Sequence, residues 1–150
     1  MEKLKISLSL VVKEIVDDLI ETYNHSGIVV DLWIGNDTEA WVDADKEKIV
    51  IVIKHILKNA KEAMPDGGSI HIKVKKEGAL AKVEIGDTGK GMPAHIQESL
   101  FRPFVSYGKE NATGFGMAIA HRIISEHNGT ISIASFLGKG TVISLHLPSA

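Results

Sequence analysis

Cysteine is absent from this chain of 150 residues. Disulfides and thiolate metal sites are therefore excluded, while the compartment is left open. A dominant charge is also missing. Lys and Arg number 17 against 19 Asp and Glu, for a net charge of -2 and a pI near 6.4. With no block of like charge, neither nucleic acid nor an anionic membrane is suggested as a partner. No long apolar run occurs. The N-terminal stretch MEKLKISLSLVVKEIVDDLIE is interrupted by Lys13, Glu14, Asp17 and Asp18, so it reads as neither a signal peptide nor a membrane span. Internal repeats, low-complexity stretches and linkers are lacking too. What is present is enough apolar material for a core: 44% hydrophobic residues and a mean hydropathy of +0.08. One globular domain is expected.

Periodicity sets the element order. Val12, Ile15, Val16, Leu19 and Ile20 recur at helical spacing opposite Lys13, Asp17 and Asp18, predicting an amphipathic helix over about Leu10 to Tyr23 that ends near Asn24 to Gly27. Ile28 to Ile34 and Glu39 to Val42 are β-rich and separated by Gly-Asn-Asp, a turn signal, so they read as a strand pair. Asp45 is a candidate N-cap for a long helix carrying Ile49, Val52, Ile53, Ile56, Leu57, Ala60 and Ala63, stopped by Pro65. Ser69 to Lys75 and Ala81 to Ile85 flank Glu77-Gly78 as a hairpin. A short helix after Pro93 is followed by Phe101 to Thr113, rich in turn formers and read as a mobile loop. The last helix, Gly114 to His127, stops at Asn128-Gly129. Two strands, Thr130 to Ala134 and Thr141 to Leu147, close the chain. The order α β β α β β α α β β argues an α+β sandwich, a mixed sheet covered on one face by helices.

Four motifs carry chemistry. Asn59, in KHILKNAKEAM, is an amide on an otherwise apolar helix. Alone it reads as an ordinary surface residue beside Lys58, Lys61 and Glu62. His55 lies one turn back on the same face. An amide oxygen suits a hard cation such as Mg²⁺, whose other positions go to phosphate and water. Asp87 ends a strand and opens DTGKGM. As a bare turn this needs fewer glycines; as a site, the carboxylate accepts the exocyclic amine of adenine while Gly91 lets the base lie against backbone. TGFGMA, Thr113 to Ala118, opens a helix whose N-terminal N–H groups favour phosphate, although a single such match is as well explained by a hinge. GKGT, Gly138 to Thr141, is by itself a hairpin turn, with Thr141 placed to bond Asp87 if the two strands are neighbours.

Two other nucleotide signatures fail on context. Gly89 to Ala94 matches G-x-G-x-x-A, with Glu110 about 20 residues on, but no strand lies between Pro93 and Glu110 to complete a βαβ unit. Gly89-Lys, Gly108-Lys and Gly138-Lys are each followed by Gly or Glu, never by the Ser or Thr of a Walker A loop.

The ordered set resembles the ATP-binding catalytic domain of two-component sensor histidine kinases, in the superfamily that includes gyrase, Hsp90 and the mismatch-repair ATPases. Asn59 is similar to the N box, DTGKGM to the G1 box, and LFRPF, Leu100 to Phe104, to the F box. TGFGMA is similar to the G2 box and GKGT to the last glycine motif. The resemblance covers essentially the whole chain and implies a Bergerat-type two-layer α/β sandwich. It further implies that Asn59 ligates Mg²⁺, that Asp87 binds the adenine amine, and that Gly89, Gly91, Gly114 and Gly116 shape the pocket and phosphate loop. Met92, Thr113, Phe115, Met117 and Thr141 would complete the ATP contacts. Phe101 and Phe104 would anchor a lid over Pro103 to Ala112, disordered without nucleotide, and Lys109 would reach the γ-phosphate.

Departures from the pattern matter. His55 stands where many members have Asn and the chemotaxis kinases have His. The gyrase and Hsp90 branch, and the anti-sigma serine kinases, place a general-base Glu there, and its absence disfavours ATP hydrolysis and serine phosphorylation. Ala112 replaces the usual first glycine of the G2 box, and Glu62 stands where some members carry a phosphate-binding Lys. The resemblance thus implies an enzyme that binds Mg-ATP and donates the γ-phosphate to a histidine on a separate dimerisation and phosphoacceptor domain, with a response regulator downstream. A stand-alone anti-sigma-type serine kinase and a regulatory nucleotide-binding module without catalysis are the alternatives. His25, His55, His71, His95, His121, His127 and His146 are each followed by a non-acidic residue, unlike a phosphoacceptor. A single domain over residues 1–150, excised from a longer chain, monomeric, cytoplasmic and without direct membrane contact, is the expectation.

Overall fold

The computed structural model describes residues 1–35, 40–101 and 116–150. In order these form β1 (Leu4–Ser7), α1 (Leu8–His25), β2 (Ile28–Ile34), β3 (Trp41–Ala44) and α2 (Lys46–Glu62). Then follow β4 (Gly68–Glu77), β5 (Leu80–Asp87), α3 (Ala94–Ser99), α4 (Gly116–Glu126), β6 (Thr130–Phe136) and β7 (Gly140–Pro148). The expected Gly-Asn-Asp turn and the segment Pro103 to Ala112 lie wholly or largely outside the described residues.

Five strands make one sheet in the order β2-β4-β5-β7-β6. The β2-β4 pair is parallel and the others are antiparallel, so the sheet is mixed, as expected. Strand alternation decides which face is covered. Val30, Ile70, Ile72, Val74, Val83, Ile85, Ile143 and Leu145 are buried, and α1, α2 and α4 pack over them. Intervening residues look outward and carry ion pairs, such as His71 to Asp31 at 3.1 Å and Lys82 to Glu84 at 3.5 Å. A two-layer sandwich with one open face results, on which Val29, Trp33 and Val142 are exposed beside the charged residues.

One strand and one pairing differ from the sequence expectation. β1 was not anticipated, because four residues of LKIS are too short to show a period. It pairs antiparallel with β3, Leu4 opposite Ala44 and Ser7 opposite Trp41. Accordingly β3 does not form a hairpin with β2. β2 instead lies parallel to β4, with Ile28 opposite Gly68, and a parallel pair needs a crossover, supplied by the chain through α2.

α2 is the element that matters for the site. Asp45 caps it, its side chain accepting from the Lys48 N–H, which satisfies one of the orphan donors of the first turn. Ile49, Val52, Ile53, Ile56, Leu57 and Ala60 are all buried, the stripe predicted from the 3.6-residue period. His55 and Asn59 fall on the flank of that stripe and are half-buried. Apolar burial thus orients both polar side chains.

Candidate nucleotide-binding site

Asp87 is the last residue of β5 and lies directly opposite Thr141 of β7. The neighbouring strands expected from the sequence are therefore present, but the bond differs in detail. The carboxylate accepts the backbone N–H of Thr141 and that of Gly89, at 2.8 Å from Oδ1. The Thr141 hydroxyl goes elsewhere, to Ser135 Oγ at 2.7 Å. Burial raises the Asp87 carboxyl above its ordinary range, and the two backbone N–H groups only partly offset this. A carboxylate has room for about four acceptances. Acceptor capacity therefore remains after the two backbone bonds, at a group that burial makes costly to keep charged.

The chain after Asp87 is irregular and is fixed by hydrogen bonds to its neighbours. Thr88 N–H donates to the Ser69 carbonyl at 3.2 Å, and Lys90 N–H to the Ala63 carbonyl at 3.2 Å. Lys90 O in turn accepts from Gly138 N–H at 2.6 Å. Met92 N–H donates to Ser135 Oγ at 2.9 Å. Gly89 packs on the end of α2: a Cβ there would lie 2.7 Å from Ala63 Cβ, so no side chain fits. Gly91 has φ +68 and faces the Phe136 carbonyl, which a Cβ would strike. Both glycines are thus demanded by the fold itself, a reason independent of the base contact expected for Gly91.

These contacts bring Asp87 and α2 together. Ala63 N–H donates to the Asn59 carbonyl at 3.0 Å, so Asn59 lies one helical turn from the residue on which Gly89 rests. His55 lies a further turn back. Among the described residues no group of three or more His, Asp or Glu is placed to hold a metal. A divalent cation at Asn59 would therefore take most of its oxygens from phosphate and water, the usual habit of Mg²⁺. Donor type fits the group: an amide oxygen for a hard cation, and a carboxylate with spare lone pairs for an amine.

The remaining predicted residues divide. Met92 is half-buried beside the segment just described. Gly116 opens α4, and Met117 is 4% exposed with its side chain in the core, a packing position. Phe101 is half-buried and stacks on His121, centroids 5.2 Å apart. Glu62 lies 3.9 Å from Lys58 Nζ. Phe104, Lys109, Ala112, Thr113, Gly114 and Phe115 lie outside the described residues. Sequence reasoning overlooked Ser135 and Gln97. Ser135 is buried at 7% exposure, and a serine flanked by Ala134 and Phe136 in a strand gives no spacing signal.

The family described as histidine kinase-, DNA gyrase B-, and HSP90-like ATPase matches residues 44–150. The chain belongs to that ATPase family. Sporulation kinase B of Bacillus subtilis is 35% identical over 149 residues, covering 99% of this chain and 34% of that protein. The sensory histidine kinase/phosphatase NtrB of Rhodobacter capsulatus is 40% identical over 119 residues, covering 71% of this chain and 33% of that protein. The chain thus spans about a third of the length of these relatives. Among solved structures, the nucleotide-free catalytic domain of histidine kinase ThkA superposes with a TM-score of 0.88 at 27% identity, covering 99% of this chain and 97% of that one. The α+β sandwich is therefore that of histidine kinase catalytic domains. Among the described residues of this ATPase-family chain, no helix is long and apolar enough to cross a membrane.

Proposed function

We propose that this domain binds Mg-ATP and donates its γ-phosphate to a histidine on a separate dimerisation and phosphoacceptor domain in two-component signalling, with a response regulator downstream. The observation that carries the proposal is Asp87: a half-buried carboxylate at a strand end, with spare lone pairs, next to a backbone segment fixed against α2. Named histidine kinases among its relatives support the reaction class.

In this reading Asp87 accepts the adenine amine, and Asn59 supplies the amide oxygen to Mg²⁺. His55 donates to phosphate or to bound water. Lys109 meets the γ-phosphate, with Thr113, Gly114, Phe115 and Gly116 around the polyphosphate and Phe104 anchoring the lid. Mg²⁺ supplies neutralisation of phosphate charge when bound. The residues do the rest by positioning, which suffices for phosphoryl transfer to a supplied acceptor. No carboxylate stands at position 55 to activate water or a serine. The domain assignment 1–150, a monomeric state in isolation and a cytoplasmic setting belong to the same proposal.

Calorimetric titration with a non-hydrolysable ATP analogue, with and without Mg²⁺, tests it. Micromolar-range binding that strengthens with Mg²⁺ and weakens by about tenfold to a hundredfold in Asp87→Asn is expected, followed by phosphate transfer to an added acceptor domain. A folded protein that binds no nucleotide overturns the proposal.

A further inference from the structure

Ser135 has one hydroxyl proton and three polar neighbours. Met92 N–H donates to its oxygen at 2.9 Å, the Gly140 carbonyl accepts from it at 3.0 Å, and Thr141 Oγ1 lies 2.7 Å away. A carbonyl cannot donate, so the contact with Gly140 takes the Ser135 proton. The contact with Thr141 is then a hydrogen bond only if Thr141 is the donor. Reversing that proton leaves two oxygens 3.0 Å apart with no hydrogen between them. Ser135 is thereby saturated, with one proton given and two accepted, and Thr141 keeps lone pairs but no proton for anything beyond it.

The consequence falls on the site, because Thr141 is directly opposite Asp87. We infer that Ser135 is a specificity-determining positioning residue: by taking the Thr141 proton it leaves Thr141 and Asp87, neighbours across β5 and β7, as hydrogen-bond acceptors only. Such a pair matches a base edge carrying an amine. It opposes one carrying a carbonyl at the same place, since unpaired buried acceptors facing each other are costly.

Gln97 holds Ser135 in place. Its Nε2 donates to the Ser135 carbonyl at 2.8 Å and to the Met92 carbonyl at 2.9 Å, and its Oε1 accepts the Ser135 N–H at 3.2 Å. β6 is one of the two edge strands of the sheet, and this one amide occupies both outward backbone groups of Ser135 as another strand would. Gln97→Glu removes both donors and sets a negative charge against two carbonyls.

This inference rests on the proposed nucleotide site, and the test separates the two. Affinities for non-hydrolysable analogues of ATP and of inosine triphosphate, which carries a carbonyl in place of the amine, are measured by calorimetry for the unaltered domain, Ser135→Ala and Thr141→Val. Thermal melting accompanies each titration. Ser135→Ala releases the Thr141 proton to donate to the ligand carbonyl, so the preference for the adenine analogue narrows by about tenfold, the worth of one hydrogen bond. A purely structural role for Ser135 weakens both analogues equally and leaves the ratio intact, and that result overturns the inference. Should Ser135→Ala not fold, Thr141→Val decides: loss of the acceptor weakens the adenine analogue more than the inosine analogue, whereas equal weakening overturns the inference. An unaltered domain that binds neither analogue instead defeats the nucleotide site itself.

Discussion

The two ends of α2 are built from the same kinds of polar group and use them differently. At the N-terminal end the bonds of the cap close on the protein. Asp45 Oδ1 accepts from Lys48 N–H at 3.4 Å, Oδ2 accepts from Glu2 N–H at 3.2 Å, and the Asp45 N–H donates to His127 Nε2 at 3.1 Å. His127 is 3% exposed, and its Nδ1 lies 2.7 Å from the Ile123 carbonyl. With Nε2 accepting from Asp45 and Nδ1 facing the Ile123 carbonyl, the ring bridges the end of α4 to the cap of α2. At the C-terminal end the backbone is equally tied, through Ala63 and Lys90. There, however, Asp87 keeps acceptor capacity. A closed end fixes the helices, and the end with spare lone pairs is the one the proposed nucleotide site uses.

Breaking the closed end should cost the most. His127→Ala strips the partner from the part-buried Asp45 N–H and empties a ring-sized space under α4, for a loss of about 2–4 kcal/mol in chemical denaturation. Nucleotide affinity measured on the folded fraction should stay within about threefold. A variant that melts normally but loses nucleotide binding would reverse the comparison.

At the ligand end, stability and binding should part. Asp87→Asn removes a charge that burial disfavours, so the unliganded domain should melt within about 1 kcal/mol of the parent. Its affinity for the ATP analogue should fall by about tenfold to a hundredfold, as expected for losing a hydrogen bond to a charged acceptor. Large destabilisation would show that the carboxylate serves the fold through its bonds to Gly89 and Thr141.

Acid titration sharpens the same contrast within one protein. The folded Asp87 carboxyl is raised, chiefly by burial. The folded state therefore takes up its proton at higher pH than the unfolded chain, and ionisation costs the unliganded fold stability. As pH falls through the raised value towards the ordinary carboxylate range, this residue's contribution to unliganded stability improves. Over the same window ATP affinity declines, because a protonated carboxyl is a poorer acceptor. Asp87→Asn should flatten that acid decline. An equally steep decline in the variant would place the titrating group elsewhere.

How much of this was legible in the sequence follows from how far each signal reaches. The α2 stripe, its Asp45 cap and the β4-β5 hairpin are local patterns, and all three are found. β1 and its pairing with β3 depend on contacts some 40 residues apart, Leu4 with Ala44, which no local period encodes. Asp87 and Asn59 stood out through motif order. His127 gave no such signal, because its purpose is a bond to Asp45, 82 residues away. Ser135 and Gln97 were invisible for the same reason. Each acts across the fold on backbone groups, and backbone acceptors leave no trace in residue type.

The smallest effect belongs to the charges on α4 between those ends. Arg122 Nε lies 3.1 Å from Glu126 Oε1, one turn apart, with the Arg122 side chain 82% exposed. Solvent and salt screen such a pair, and holding the long side chain costs entropy, so Arg122→Ala should shift stability by less than about 0.5 kcal/mol. The shift should shrink further at high salt, with nucleotide affinity unchanged. Because Glu126 immediately precedes His127, this substitution also probes the closed end from outside. A loss approaching that of His127→Ala would mean that the helix terminus depends on its surface charges rather than on the buried ring that bridges it to Asp45.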